Sequence, residues 1–268
     1  MRVVGLIAAD SIRALLHQRL LMALMLVTLG LTVVFSVLLT EGREWVGQGI
    51  ENGAAMEDSD QLDERGLEKA RQGIDLAGSF ILAGFYWFTA LGGTLVALFI
   101  CSTAVANDLR RGTIHIVLAK PVSRAHFLLG KYCGAVAVLF GYSVLIGVAL
   151  VIFAYANELD LNLAARYAPW LMFCHNLMIG SVALLLSLLI HPLLAAVVAY
   201  FASATFLSPP NPLYFVLPSY DRYNIFMLIM KGELIAPADI AMLTLYAFDF
   251  TAIVLLLALW KFRCKELL

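Results

Sequence analysis

The chain has 268 residues, 62% of them apolar and only 14% charged, with a formal net charge of −1 and a mean hydropathy of +0.89. Water-soluble domains run nearer half apolar and a quarter charged, so a single soluble core cannot absorb these side chains, and the composition is that of an integral membrane protein. The near-neutral charge gives no reason to expect a nucleic-acid partner. Cys101, Cys133, Cys174 and Cys264 lie in or beside apolar runs, with no CxxC or Cys/His zinc spacing, so neither a disulfide framework nor structural zinc is read.

Residues 1–18 are too polar to span. On a helical wheel Val4, Ile7, Ala8, Ile12, Leu15 and Leu16 fall on one side and Arg2, Asp10, Arg13 and His17 on the other, with Val3 and Leu6 outside the apolar arc. This pattern predicts an interfacial elbow helix, or alternatively a plain extension of the span that follows.

A bilayer core about 30 Å thick needs roughly 20 apolar residues in helix. Six runs meet or approach that: 20–39, 76–106, 127–156, 169–190, 192–207 and 242–260. The first exceeds the 7–15 residues of a signal-peptide core and has no small-residue cleavage site after it, so it is expected to remain as an anchor. The fifth is short, roughly 16 residues against the 20 expected. Placing the N-terminus inside gives the inner segments eleven basic residues and three acids, and the outer loops seven basic residues and fifteen acids. The lysine and arginine bias therefore predicts that both termini are cytoplasmic. The expected fold is all-α and polytopic, with six transmembrane helices.

Between the first two runs, residues 40–75 begin Gly-rich and irregular. They then turn helical after a capping-box pattern at Asp58 and Gln61, with Leu62, Ala70 and Ile74 at helical spacing. A solvated outer helix running into the second span and an acidic substrate-binding lid are both open readings. The late outer loop, 208–240, carries Pro209, Pro210, Pro212, Pro218 and Pro237 around a short apolar stretch, Tyr223–Met230. It is read as a bent interfacial or re-entrant segment.

The inner stretch Asn107–Lys131 is the most informative. Asp108, Arg110 and Arg111 form a charged cluster at the membrane face; Gly112 can break a helix. Ile114, Val117 and Leu118 make an apolar stripe of about two turns, Pro121 stops it, and Ser123 is placed to N-cap a helix whose first turn brings Arg124 and His126. A short amphipathic helix punctuated at both ends suits a surface on which a cytoplasmic partner pushes better than it suits a linker.

At these residues the chain resembles the permease subunits of ABC-2-type ATP-binding-cassette transporters. In that family an acid-x-x-x-Gly-Thr element precedes a short apolar helix, then Lys/Thr-Pro-x-x-Arg, then Gly-Lys at the start of the third span. The matching residues are Asp108, Gly112, Thr113, the 114–119 run, Lys120, Pro121, Arg124, Gly130 and Lys131; Asp108 departs from the commoner Glu. The resemblance implies one permease domain over 1–268, in which Asp108, Arg110, Arg111, Gly112, Thr113, Ile114, Val117, Leu118, Lys120, Pro121 and Arg124 of the 107–126 segment couple to an ATPase. It implies an export complex in a bacterial inner (plasma) membrane. Its partners would be separately encoded ABC ATPase subunits, holding the ATP and Mg that this chain does not bind, and a second permease copy or paralogue, in contact with membrane lipid. The alternative is a non-transporting scaffold that recruits a cytoplasmic protein.

No enzyme activity is expected of the chain itself. Gly130-Lys131 is followed by Tyr132, and Ala125 stands where a Walker A loop needs its first Gly. Ser181 and His191 are roughly 15 Å of helix apart, too far for a nucleophile and its base. Met172, Cys174, His175 and Met178 include i,i+3 pairs, a spacing that suits either soft-metal binding or core packing. Asp249 is the one acid within a span. A mid-bilayer acid costs about 2.5–3.5 kcal/mol on insertion scales, so it is read either as a transport-pathway group or as a structural acid beside Tyr246 or Thr251. Gly130 and Gly134 form a GxxxG, read as intrachain packing before dimerisation.

Overall fold

The computed structural model describes residues 2–16, 64–110, 123–156, 163–203, 223, 226–231 and 235–264, together with residues 23, 26, 27, 30, 33, 34 and 37 of the first apolar run and residue 41 just beyond it. Seven helices are described over a continuous range, in chain order and with no strand among the described residues: α1 (Arg2–Leu16), α2 (Glu64–Arg110), α3 (Arg124–Ala156), α4 (Leu163–Ser187), α5 (Pro192–Ser203), α6 (Phe226–Lys231) and α7 (Pro237–Cys264). Helix is what runs this apolar require, because hydrocarbon offers no partner for backbone N–H and C=O groups.

Four stretches are long and apolar enough to cross a bilayer: Leu82–Asp108, Arg124–Tyr155, Ala164–Ser187 and Pro237–Cys264. They are the second, third, fourth and sixth expected spans. The described residues of the first run are all helical and exposed, at positions that share one helical face; the rest of that run lies outside the described residues, as does the Asp58–Gln61 capping pattern. α2 has 47 residues, about 70 Å at 1.5 Å per residue. That is about twice the hydrocarbon thickness, so the helical half of the polar first loop and the second span are one continuous rod.

Of the fifth expected span, 192–207, the structure describes residues up to 203, and the remainder lies outside the described residues. The described part, α5, has 12 residues, about 18 Å at 1.5 Å per residue. Its start is sharply made. α4 ends in a tightened turn, with the Leu188 and Leu189 amides donating to the Leu185 and Leu186 carbonyls at 3.2 and 2.9 Å. Pro192 then opens α5, and the His191 ring nitrogen Nδ1 accepts the Leu193 amide at 3.2 Å, a side-chain cap ahead of a first-turn proline.

α4 is the hub, in contact with α2, α3, α5, α6 and α7, and most of its length is buried, including Leu171, Met172, Cys174, Met178, Ile179 and Leu184. Against it, tyrosines fasten neighbouring helices by donating to main-chain carbonyls. Tyr132 reaches Leu177 (2.9 Å), Tyr142 reaches Thr89 (3.3 Å), Tyr86 reaches Tyr223 (2.9 Å), and Tyr223 in turn reaches Leu243 (2.6 Å). Such bonds average only about 0.6 kcal/mol inside a membrane, so they register helices that close packing holds together. Gly93 of α2 shows that packing: a Cβ there would lie 2.8 Å from Asn176 Nδ2 and 3.0 Å from the Tyr142 ring.

The apolar stripe of α1 is turned onto the start of α3. Val4, Ile7, Ala8 and Ile12 are half-buried and Ser11 is buried, while Leu6, Asp10 and Arg13 are exposed. The approach is close because α3 presents glycine. A Cβ at Gly130 would sit 2.7 Å from Ile7 Cγ2, and one at Gly134 would sit 2.8 Å from Ser11 Cβ and 3.0 Å from the Ala8 carbonyl oxygen. The GxxxG thus serves contact within the chain. Gly134→Val should force the two helices apart and destabilise the protein by about 1–3 kcal/mol, the usual cost of overpacking. Gly141→Ala, where nothing lies within 4 Å, should be neutral or slightly stabilising. Thermal unfolding of both variants in detergent checks the contrast.

Candidate functional site

The informative inner stretch begins on the last turns of α2 and ends on the first turns of α3. Arg110 closes α2. Arg111, Gly112, Thr113, Ile114, Val117, Leu118, Lys120 and Pro121 lie outside the described residues. The chain is described again from Ser123, whose Oγ accepts the His126 amide at 3.3 Å and shares a second hydrogen bond with the His126 ring. Ser123 is therefore the N-cap of α3, and the cap fixes where Arg124 and His126 leave the helix.

From this start the two ends of the stretch are joined. Lys131 Nζ lies 2.8 Å from Asp108 Oδ2, with side chains 16% and 24% exposed. A lysine set into an apolar run must find an anion or snorkel to water, and here the anion is the acid closing the preceding span. The ammonium also lies 5.7 Å from the centre of the Phe127 ring, within cation–π range. Phe127 is buried and faces Phe262 of α7, ring centres 6.4 Å apart and 20° from parallel. One turn earlier, Arg124 Nη1 donates to the carbonyl of Arg263 at 3.2 Å. A guanidinium at that point serves one of the last carbonyls of a helix and complements its dipole. With α1 seated on Gly130 and Gly134, the bases of α2 and α3, the end of α7 and the N-terminal helix all meet at one end of the molecule.

The sequence identified Asp108, Arg124, Gly130 and Lys131 as members of a motif but not as partners. The signal in the sequence was the lysine itself, a charge inside an apolar run, with Asp108 the one acid in the same inner segment. Phe262 and the Arg263 carbonyl carried no signal, since one is an apolar residue among many and the other is backbone.

The other candidates fall elsewhere. Asp249 is on α7, roughly 18 Å from one end and roughly 22 Å from the other at 1.5 Å per residue. It is exposed, on a stripe with Met242, Leu245, Ile253, Leu256 and Trp260. The opposite stripe, with Ala247, Thr251, Val254 and Ala258, is buried, so Asp249 and Thr251 face different ways. In α4, Met172, Cys174 and Met178 are buried, and His175 lies beside Tyr223 with ring centres 6.5 Å apart. Among the described residues no group of three or more His, Cys, Asp or Glu side chains is placed to hold a metal ion. Ser181 donates to the Met178 carbonyl at 2.7 Å while His191 caps α5, so they form no catalytic pair. Asn176, fully buried, accepts from Thr94 at 3.4 Å, and its Nδ2 has no hydrogen-bond partner among the described residues.

The Phe127–Phe262 stack is the apolar half of the junction between α3 and α7. Phe262→Ala should destabilise the chain by about 3–5 kcal/mol, as removal of a buried aromatic does, and Phe262→Leu by much less. Denaturation in detergent distinguishes them; equal effects would show that the ring contributes nothing beyond bulk.

None of the curated proteins compared with the chain matches it. A family model described as "ABC-2 family transporter protein" matches residues 6–262, a span that takes in most of α1, the inner stretch and nearly all of α7. Helices able to cross a membrane, the motif around Asp108 and Lys131, and a match over almost the whole length lead to the same place: this chain belongs to the ABC-2 family of transporter proteins.

Proposed function

We propose that the chain is the permease subunit of an ATP-driven export complex and that its 107–126 segment docks a separate ABC ATPase. As a member of the family it is a membrane component of an ABC transporter; the coupling role, the direction and the partners are our reading. The observation that carries it is the fixing of both ends of the punctuated segment at one face, by Asp108–Lys131 and by Arg124 on the end of α7. A segment held at both ends transmits a push that a free loop absorbs.

On this reading the shared end of α1, α2, α3 and α7 faces the cytoplasm of a bacterial cell, as the lysine and arginine bias predicts. α1 is the elbow helix, and a second permease copy or paralogue completes the pathway. ATP and Mg belong to the ATPase. Closure of the nucleotide-bound ATPases pushes the segment, and the spans respond as rigid bodies in alternating access.

Asp249 is read as part of the transport pathway. A carboxylate near mid-bilayer on an otherwise apolar exposed stripe is costly against lipid, by about 2.5–3.5 kcal/mol. A hydrated route, or a hydrogen-bonding group of the neighbouring subunit, removes that cost.

Affinity purification of the chain from native membranes should recover a Walker-type ATPase. Acidic replacements at Arg110 and Arg111 should reduce that recovery by about tenfold, equivalent to about 1.4 kcal/mol of binding. A chain that yields another cytoplasmic protein and no ATPase is the scaffold of the alternative. In vesicles containing the complex, Asp249→Asn should lower ATP-driven transport by about tenfold, since it removes a charge from the route; unchanged transport would return Asp249 to a structural role.

A further inference from the structure

We infer that Lys131 is a positioning residue for the coupling segment, and that the family-motif acid Asp108 acts on Lys131 rather than on the ATPase. The inference rests on the function proposed above and says how that segment is set. Lys131 Nζ and Asp108 Oδ2 are 2.8 Å apart, and neither side chain is more than a quarter exposed. An acid reserved for a docking partner would present its carboxylate outward; this one is turned across to the next helix.

The surroundings of Lys131 allow it little choice. Its neighbour Gly130 is in close approach to Ile7 of α1, where a Cβ would lie 2.7 Å away, so α3 cannot roll to carry the ammonium elsewhere without displacing α1. The Phe127 ring lies 5.7 Å from Nζ on its own helix, and Phe127 is itself fixed by Phe262. Arg124, the other cation at the start of α3, is engaged with the Arg263 carbonyl. The pair thus ties the end of α2 directly to the start of α3, so that a force applied between them moves α2 and α3 together, and α7 with them through Arg124 and Phe127.

The test is a charge swap in the full complex of permease and ATPase in proteoliposomes, measuring permease-dependent ATP hydrolysis against ATP concentration. Asp108→Lys and Lys131→Asp should each lower the maximal rate by about tenfold, and the double swap should recover it to within about threefold, the signature of direct pair coupling. The KM for ATP should stay unchanged throughout, because the nucleotide site is in another chain, and Lys131→Arg should retain most of the rate. Should the single variants fail to assemble, recovery of assembled complex by the double swap reads the same pair. A double swap no better than the worse single variant, or single variants with the wild-type rate, overturns the inference. A wild-type chain that brings down no ATPase overturns the function and the inference together, so the two failures are distinguishable.

Discussion

A charge set inside an apolar run has to be answered where the helix meets water, and the answer to Lys131 organises this protein's shared end. The ammonium is met by Asp108 across the inner stretch and by the Phe127 ring on its own helix. Holding it there requires that α3 keep its rotation, and the glycine face against α1 keeps it. The stack of Phe127 on Phe262 and the guanidinium of Arg124 on the end of α7 extend the same junction to the last span. The charge pair alone is a modest contributor to stability, since such pairs gain little net energy after desolvation. Its consequence is geometric: four helix ends share one arrangement.

Away from that junction the molecule is held by shape. α4 is buried along most of its length, and glycine and alanine let its neighbours come close. The tyrosine hydroxyls that reach main-chain carbonyls from α2, α3 and Tyr223 each add little energy, yet they select one vertical register between helices that apolar contact alone would allow to slide. α7 is held differently. It is buried along a single narrow stripe, tied at one end by Arg124 and Phe127 and farther along by Tyr223 and Trp170, which reach Leu243 and Thr244. A helix secured at such points, with Asp249 on its bare face, is suited to move as a unit when the junction moves.

Much of this was legible in the residues, and what was not has a physical reason. The runs of apolar residues fixed four of the expected spans, because hydrocarbon leaves the backbone no alternative to helix. Ser123 was readable as a cap and Gly130 with Gly134 as a packing face, since both signals are local. The helical spacing of Ala70 and Ile74 pointed to an outer helix running into the second span, and α2 is continuous from Glu64 to Arg110. Burial in the spans was least legible of all. Core and lipid are equally apolar, so the buried stripe of α7 and its bare face read alike in the sequence, and only Asp249 interrupts the pattern. The pairing of Lys131 with Asp108 is tertiary: a lysine in an apolar run marks the need for an anion, and spacing along the chain does not say which.

The account stands on the side of the membrane to which the Asp108–Lys131 junction is exposed, because a junction that couples to an ATPase must face the compartment holding ATP. The most direct measurement is labelling of a single cysteine at Ser123, in a chain otherwise free of cysteine, with a membrane-impermeant maleimide. Ser123 is exposed and caps α3 beside the junction. The account predicts reaction in inside-out vesicles and none in intact spheroplasts; labelling of intact spheroplasts would place the junction on the outer face and contradict it.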